Sequence, residues 1–151
     1  MLPADTAWRL LLAAGLGAAI GLEREYRQKP AGLRTNILIA IGSALLTILS
    51  GLMGHEAGTA DRISAQIVTG IGFLGGGAIL RSGKAVHGMT TAATIWVNAA
   101  IGMAAGGGHF ALATITAGLT LVVLALLPPI EIYFERRAGW PDRHHDRPPD
   151  L

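Results

Sequence analysis

The groups best suited to chemistry are charges and amides set into long apolar stretches or against their ends. Glu23 and Arg24 close the first such stretch, Arg34 and Asn36 open the second, and Arg81 closes the third. Glu23 and Glu25 can offer oxygens to Mg²⁺, which keeps several waters and takes one or two carboxylates, although arginines alongside argue against a tight cation site. The same cluster admits a plainer reading as topology anchors, with Glu23 paired to one of Arg24, Arg34 and Arg81 across the helix ends; charges cost far less at the membrane rim than at its centre. A sharper reading makes it a cytoplasm-facing cluster that binds an ion or a partner. Asn36, Gln66, Thr91, Thr94 and Asn98 lie within apolar segments, where unsatisfied polar groups are costly. They should therefore face protein, either as hydrogen bonds between helices or as the lining of a polar permeation path.

Other chemistries find little support. The chain has no cysteine, which removes disulfides, thiol catalysis and thiolate metal sites. No nucleophile, base and orienting group stand in a recognisable arrangement, so an enzyme is not expected and no cofactor is required, with Mg²⁺ the one ligand to consider. Gly70-Ile-Gly72-Phe-Leu-Gly75 has the spacing of a dinucleotide-binding turn, but that turn needs an acidic residue about 20 positions later. Residue 95 is Ile inside another apolar run. His144 and His145, flanked by Asp142 and Asp146, fall in a proline-rich, charged tail that reads as solvated chain.

Composition explains why apolar stretches dominate. The 151 residues are 51% hydrophobic and 15% charged, with 21 glycines, and the mean hydropathy is +0.47. This describes a polytopic membrane protein. A pI near 9.5 would hint at nucleic acid in a soluble chain, but here the basic residues flank apolar segments, where lipid phosphates and topology account for them and no nucleic-acid partner is needed. The expected fold is all-α, a bundle of five transmembrane helices over about 7–22, 35–52, 62–81, 88–105 and 110–127, with residues 1–134 as the membrane domain and 135–151 as a flexible cytoplasmic tail.

The run from Arg62 to Arg81 is uncharged between its terminal arginines and should be the central helix. Winding it at 100° per residue places Ile63, Ile67, Ile71 and Leu74 on one stripe, toward lipid, and Gly72, Gly75 and Gly76 opposite, with Gly70 between. Small residues let helices approach closely, so these glycines, like Gly17 and Gly21 in the first helix, are expected at helix contacts. An internal repeat supports a paired architecture: Gly15-x-Gly17-x3-Gly21 returns as Gly70-x-Gly72-x3-Gly76, and Gly32-Leu-Arg-Thr35 returns as Gly88-Met-Thr-Thr91. Helices one and two would then match helices three and four as two copies of one hairpin.

At these residues the chain resembles the MgtC/SapB family of bacterial inner-membrane proteins. Gly21-Leu-Glu-Arg-Glu25, Lys29-Pro-Ala-Gly-Leu-Arg-Thr-Asn36, Ala65-Gln-Ile-Val-Thr-Gly-Ile-Gly-Phe-Leu-Gly75 and Thr90-Thr-Ala-Ala-Thr-Ile-Trp96 carry the resemblance. It implies a multi-pass protein of the inner membrane, a role in magnesium homeostasis and adaptation to low magnesium, and virulence association in pathogens. Some members are reported to restrain the F-type ATP synthase, which makes that enzyme a conceivable partner alongside the lipid bilayer. Longer members carry a soluble C-terminal domain that is not expected in these residues. Two functions follow as expectations: a non-enzymatic regulator acting on a membrane partner, and a small channel or transporter for Mg²⁺ or another ion. A homo-oligomer, with a dimer favoured, is compatible with both.

Charge placement makes a testable statement about orientation. Arg24, Arg27, Lys29, Arg34, Arg81, Lys84, Arg136, Arg137, Arg143 and Arg147 fall on one side of the five spans, and Arg9 and Arg62 on the other. Because cytoplasmic flanks are enriched in Lys and Arg, the N-terminus should lie outside and the C-terminus inside. Reporter fusions after the first and third helices and at the tail should all report cytoplasmic, and a tail found outside would overturn the five-span topology.

Overall fold

The computed structural model describes residues 3–53, 60–82 and 85–138. Five helices form the bundle, α1 (Pro3–Tyr26), α2 (Leu33–Met53), α3 (Ala60–Gly77), α4 (Met89–Gly106) and α5 (Phe110–Ala138), and a small hairpin of β1 (Leu80–Ser82) and β2 (Ala85–His87) joins α3 to α4. Three stretches, Ala4–Tyr26, Leu33–Met53 and Phe110–Phe134, are long and apolar enough to cross a membrane, and α3 contributes the shorter apolar stretch Ile63–Gly77. The protein is thus a multi-pass α-helical membrane protein. Most of the expected tail, with His144 and His145, lies outside the described residues.

Helix ends differ from the expected bounds for local reasons. α1 begins at Pro3, where a missing amide hydrogen costs nothing in the first turn, with Asp5 favourable at the positive end of the helix. It runs on to Tyr26 because Glu and Arg are good helix formers, and nothing requires a helix to stop at the edge of its apolar stretch. α3 ends at Gly77, short of residue 81. Three consecutive glycines favour the helix least, and a turn follows in which the Ala78 amide reaches the Leu74 and Gly75 carbonyls. The chain then pairs antiparallel, Leu80 opposite His87 and Arg81 opposite Val86. Gly88, at φ 87°, turns the hairpin into α4.

The core lies around α2 and α4. Ala40 and Ala44 of α2 and Ile101 and Ala105 of α4 pack with Ala13 and Ile20 of α1 and with Ala113, Ala117 and Leu124 of α5. On the opposite side, Ile39 of α2 and Ile95 and Ala99 of α4 pack with Ile67 and Ile71 of α3. Only α2 and α4 belong to both clusters, so the expectation of a central α3 is corrected.

The facing of α3 also differs from the one expected, although Leu74 is exposed and Gly75 buried as the winding placed them. Ile67 and Ile71 are buried, whereas Phe73 is 83% exposed, and a Cβ added at Gly70, Gly72 or Gly76 would meet nothing within 4 Å. Lipid tails are as apolar as isoleucine, so hydrophobicity does not choose the inward face; interlocking side chains do, and two isoleucines fill the space against Ile39 and Ile95 better than glycines can.

Close glycine contacts occur elsewhere. A Cβ at Gly17 would lie 2.7 Å from the Asn36 carbonyl oxygen, and one at Gly21 would lie 2.7 Å from the Leu33 Cα. Cβ atoms at Gly102 and Gly106 of α4 would collide with the Ala40 and Ala44 carbonyls of α2. In α3 it is Gly75 that touches the first turn of α4, a Cβ there lying 3.5 Å from the Ala92 carbonyl oxygen. Gly75 therefore plays against α4 the part that Gly21 plays against α2, one residue away from the position the sequence repeat indicated.

Substitutions should separate these two classes of glycine. Gly102→Ala should lower stability in detergent by about 1–3 kcal/mol, a typical overpacking cost, while Gly72→Ala should leave it unchanged or raise it by up to about 1 kcal/mol, the helix-propensity gain of Ala over Gly. Thermal unfolding of the two purified variants checks this, and equal loss would contradict the placement of α3.

Candidate functional site

The motif Lys29-Pro-Ala-Gly-Leu-Arg-Thr-Asn36 builds the turn from α1 into α2. Gln28 and Ala31 adopt positive φ, 54° and 55°, a conformation unusual for residues with a Cβ, so the turn needs external support. Asn36 supplies it from within α2, its Nδ2 donating to the carbonyls of Ala31 and Gly32. Glu25 supports the other flank by accepting the Leu33 amide at 3.1 Å, a first-turn donor with no partner inside the helix.

Asn36 is also where α4 attaches. Asn98 Nδ2 donates to the Asn36 carbonyl at 2.7 Å and to its Oδ1 at 3.2 Å, and both side chains are fully buried. Asn98 Oδ1 has no hydrogen-bond partner among the described residues. Arg24, also buried, extends from α1 to donate to the Thr91 hydroxyl of α4 at 2.7 Å and to the Pro30 carbonyl at 3.4 Å. Thr94 turns its hydroxyl back to the Thr90 carbonyl at 2.7 Å. These groups form one polar seam through α1, α2 and α4, in which the buried Arg24 Nε also lacks a hydrogen-bond partner among the described residues.

A second constellation joins α1 to α5. Glu23 pairs with Arg27, four residues on in the same helix and 2.5 Å away, and Arg27 Nη2 donates to the Ala125 carbonyl at 3.0 Å. That carbonyl would ordinarily accept the amide of residue 129, but residue 129 is Pro and has none. Arg27 thus satisfies an acceptor freed by Pro129. This explains how α5 continues through Pro128 and Pro129 where the sequence suggested a stop at 127.

The expected charged cluster is therefore divided. Glu23 pairs with Arg27, not with Arg24 or Arg34; the i,i+4 spacing puts Arg27 over it on one helix face, whereas Arg24 is drawn inward to Thr91. Arg34 is exposed and takes part in neither ion pair found among the described residues. Arg81 lies in β1, and its side chain falls outside the described residues. Glu23 and Glu25 do not converge as ion ligands, since two residues apart on a helix they point to opposite sides, and no cluster of three metal-ligating side chains occurs among the described residues. Gln66 is exposed and not packed inward as expected.

Two functional positions escaped the sequence reading. Arg27 was legible only as a loop charge, although its spacing from Glu23 and the Pro128-Pro129 pair were both visible. Arg9 looked like an interruption of an apolar stretch. It donates to the Gly106 carbonyl at 2.8 Å while paired with Asp5 at 2.9 Å, and so caps the end of α4.

A bundle whose helices are tied by buried amides, an arginine and interlocking glycines defines a class, that of multi-pass membrane proteins with a buried polar seam. The chain belongs to the MgtC family, whose sequence profile matches residues 10–133. It is 43% identical over 135 residues to the protein MgtC of Brucella abortus (strain 2308), covering 89% of this chain and 56% of that protein. Identity to the uncharacterised protein slr0014 of Synechocystis sp. is 46% over 133 residues, covering 88% of this chain and 56% of the relative. The YhiD protein of Escherichia coli (strain K12), whose name carries the suggestion of a magnesium transporter, is 48% identical over 123 residues, 77% of this chain and 57% of its own. The chain spans about half the length of these curated relatives. No solved structure matches.

A double-mutant cycle tests the Arg27 contact. Arg27→Met should lower stability by about 1 kcal/mol by leaving a half-buried carbonyl unsatisfied. In a Pro129→Ala background the new amide reclaims that carbonyl, so the same substitution should cost measurably less. Additive losses in thermal unfolding would show that Arg27 does not serve the acceptor freed by proline.

Proposed function

We propose that this chain is a non-enzymatic regulator of magnesium homeostasis in the bacterial inner membrane, acting through contact with another membrane protein during adaptation to low magnesium. The magnesium link comes from the family and from the name of its Escherichia coli relative. What supports regulation over conduction is one observation: α2 and α4 are closed tightly against each other. Asn36 binds Asn98, and further along the same contact Gly102 and Gly106 seat against the carbonyls of Ala40 and Ala44 with no room for a Cβ. A path for a hydrated ion needs polar groups around an open lumen; between α2 and α4 the backbones interlock instead.

Reconstitution separates the two functions. Purified protein in liposomes should give no Mg²⁺ flux above that of empty vesicles, while expression in a strain lacking the native gene should restore growth at low magnesium. An Asn98→Ala variant should lose the growth phenotype at matched membrane expression. Flux well above background that Asn98→Ala alters would overturn regulation and support a transporter.

A further inference from the structure

A groove of about 560 Å³ opens on the surface where the N-terminal end of α2, the C-terminal end of α3 and α4 meet. Its walls include Leu38, Ile39, Phe73, Leu74 and Ile95, and Arg34 stands at its rim. The position in the fold decides what surrounds it. Arg34 is the second residue of a membrane-crossing helix, so it lies at the end of a span, and Leu38 is about 6 Å deeper at 1.5 Å per residue. The groove therefore begins at the level of lipid headgroups and runs into the hydrocarbon.

The charges at this end are unevenly spent. Arg24 is committed to Thr91 and Pro30, Arg27 to Glu23 and the Ala125 carbonyl, and Glu25 to the Leu33 amide. Arg34 stays exposed and outside both ion pairs, with its guanidinium fork available for a phosphate. Below it, Leu38 is 70% exposed and Phe73 83% exposed; these are apolar surfaces that a hydrocarbon chain covers. The volume of the groove lies within the range of small-molecule sites, roughly 300–1,000 Å³.

We propose that the groove is a binding site for an anionic glycerophospholipid, with an acyl chain along Leu38, Phe73 and Leu74 and the headgroup phosphate on Arg34. Basic pockets between membrane-spanning helices hold anionic headgroups in this way. The free positive charge at the rim favours a net anionic lipid over a zwitterionic one of the same chain length. Bound there, the lipid bridges α2 to α3.

Native mass spectrometry of the detergent-purified protein tests this with phosphatidylglycerol and phosphatidylcholine of identical chains. Phosphatidylglycerol should be retained preferentially, and Arg34→Gln should reduce that preference roughly fivefold, the contribution of one basic residue at an anionic surface. Gly77 borders the groove and a Cβ there would meet nothing within 4 Å, so Gly77→Phe fills the space without displacing the fold. It should lower retention of both lipids with thermal unfolding unchanged. Equal retention of the two lipids by wild type and Arg34→Gln would overturn the proposal. Displacement of the lipid by soluble glycerol phosphate at equal concentration would show a plain phosphate site instead. A wild-type dimer that Gly77→Phe converts to monomer, with lipid binding untouched, would show that a second copy of the chain covers the groove.

Discussion

A polar group inside a bilayer has no water to fall back on, and the protein must answer it. The Asn36–Asn98 contact is where this constraint acts most strongly. Asn36 donates to two loop carbonyls and accepts from Asn98, so one fully buried side chain holds the α1–α2 turn and the α2–α4 contact together. The turn contains two residues at positive φ that would relax without that hold. The glycine contacts depend on it in turn, because Gly17 and Gly102 interlock with α2 only if its axis lies close to α1 and α4. Hydrogen bonds set the register, and small residues let the backbones approach closely enough to use it.

The same constraint explains the arginines. Three of them end on carbonyl groups: Arg24 on Pro30, Arg27 on Ala125 and Arg9 on Gly106. Each acceptor lies where a helix or turn leaves it without an internal partner: a proline loop, the turn before a proline pair, and a helix C-terminus. An arginine has five donors and a long apolar stem, so it can reach such sites from the membrane edge. Charge placement that looks like topology marking in sequence thus also serves backbone satisfaction.

This arrangement leaves the bundle asymmetric. α1, α2 and α4 form a polar-seamed unit, while α3 rests on it through Ile67, Ile71, Gly75 and a Ser64–Ser50 hydrogen bond and leaves Gly70, Gly72 and Gly76 exposed. Tightly interlocked helices keep their shape, and a loosely covered helix leaves surface exposed. The bundle divides these properties between its tightly interlocked helices and α3.

The amino-acid sequence by itself determined that the chain crosses a membrane through helices, where the apolar segments lie, and which family it resembles, because hydrophobic length and local motif are properties of contiguous residues. It also marked Asn36, Thr91, Thr94 and Asn98 as inward-facing, since an amide or hydroxyl in an apolar stretch has few alternatives. Only the tertiary structure decided that α2 and α4 form the centre, that Ile67 faces protein while Gly72 does not, and that Glu23 belongs with Arg27. In lipid, an isoleucine and a glycine are both tolerated on either face. The choice between them rests on how side chains from distant parts of the chain interlock, and periodicity along one helix carries no record of that.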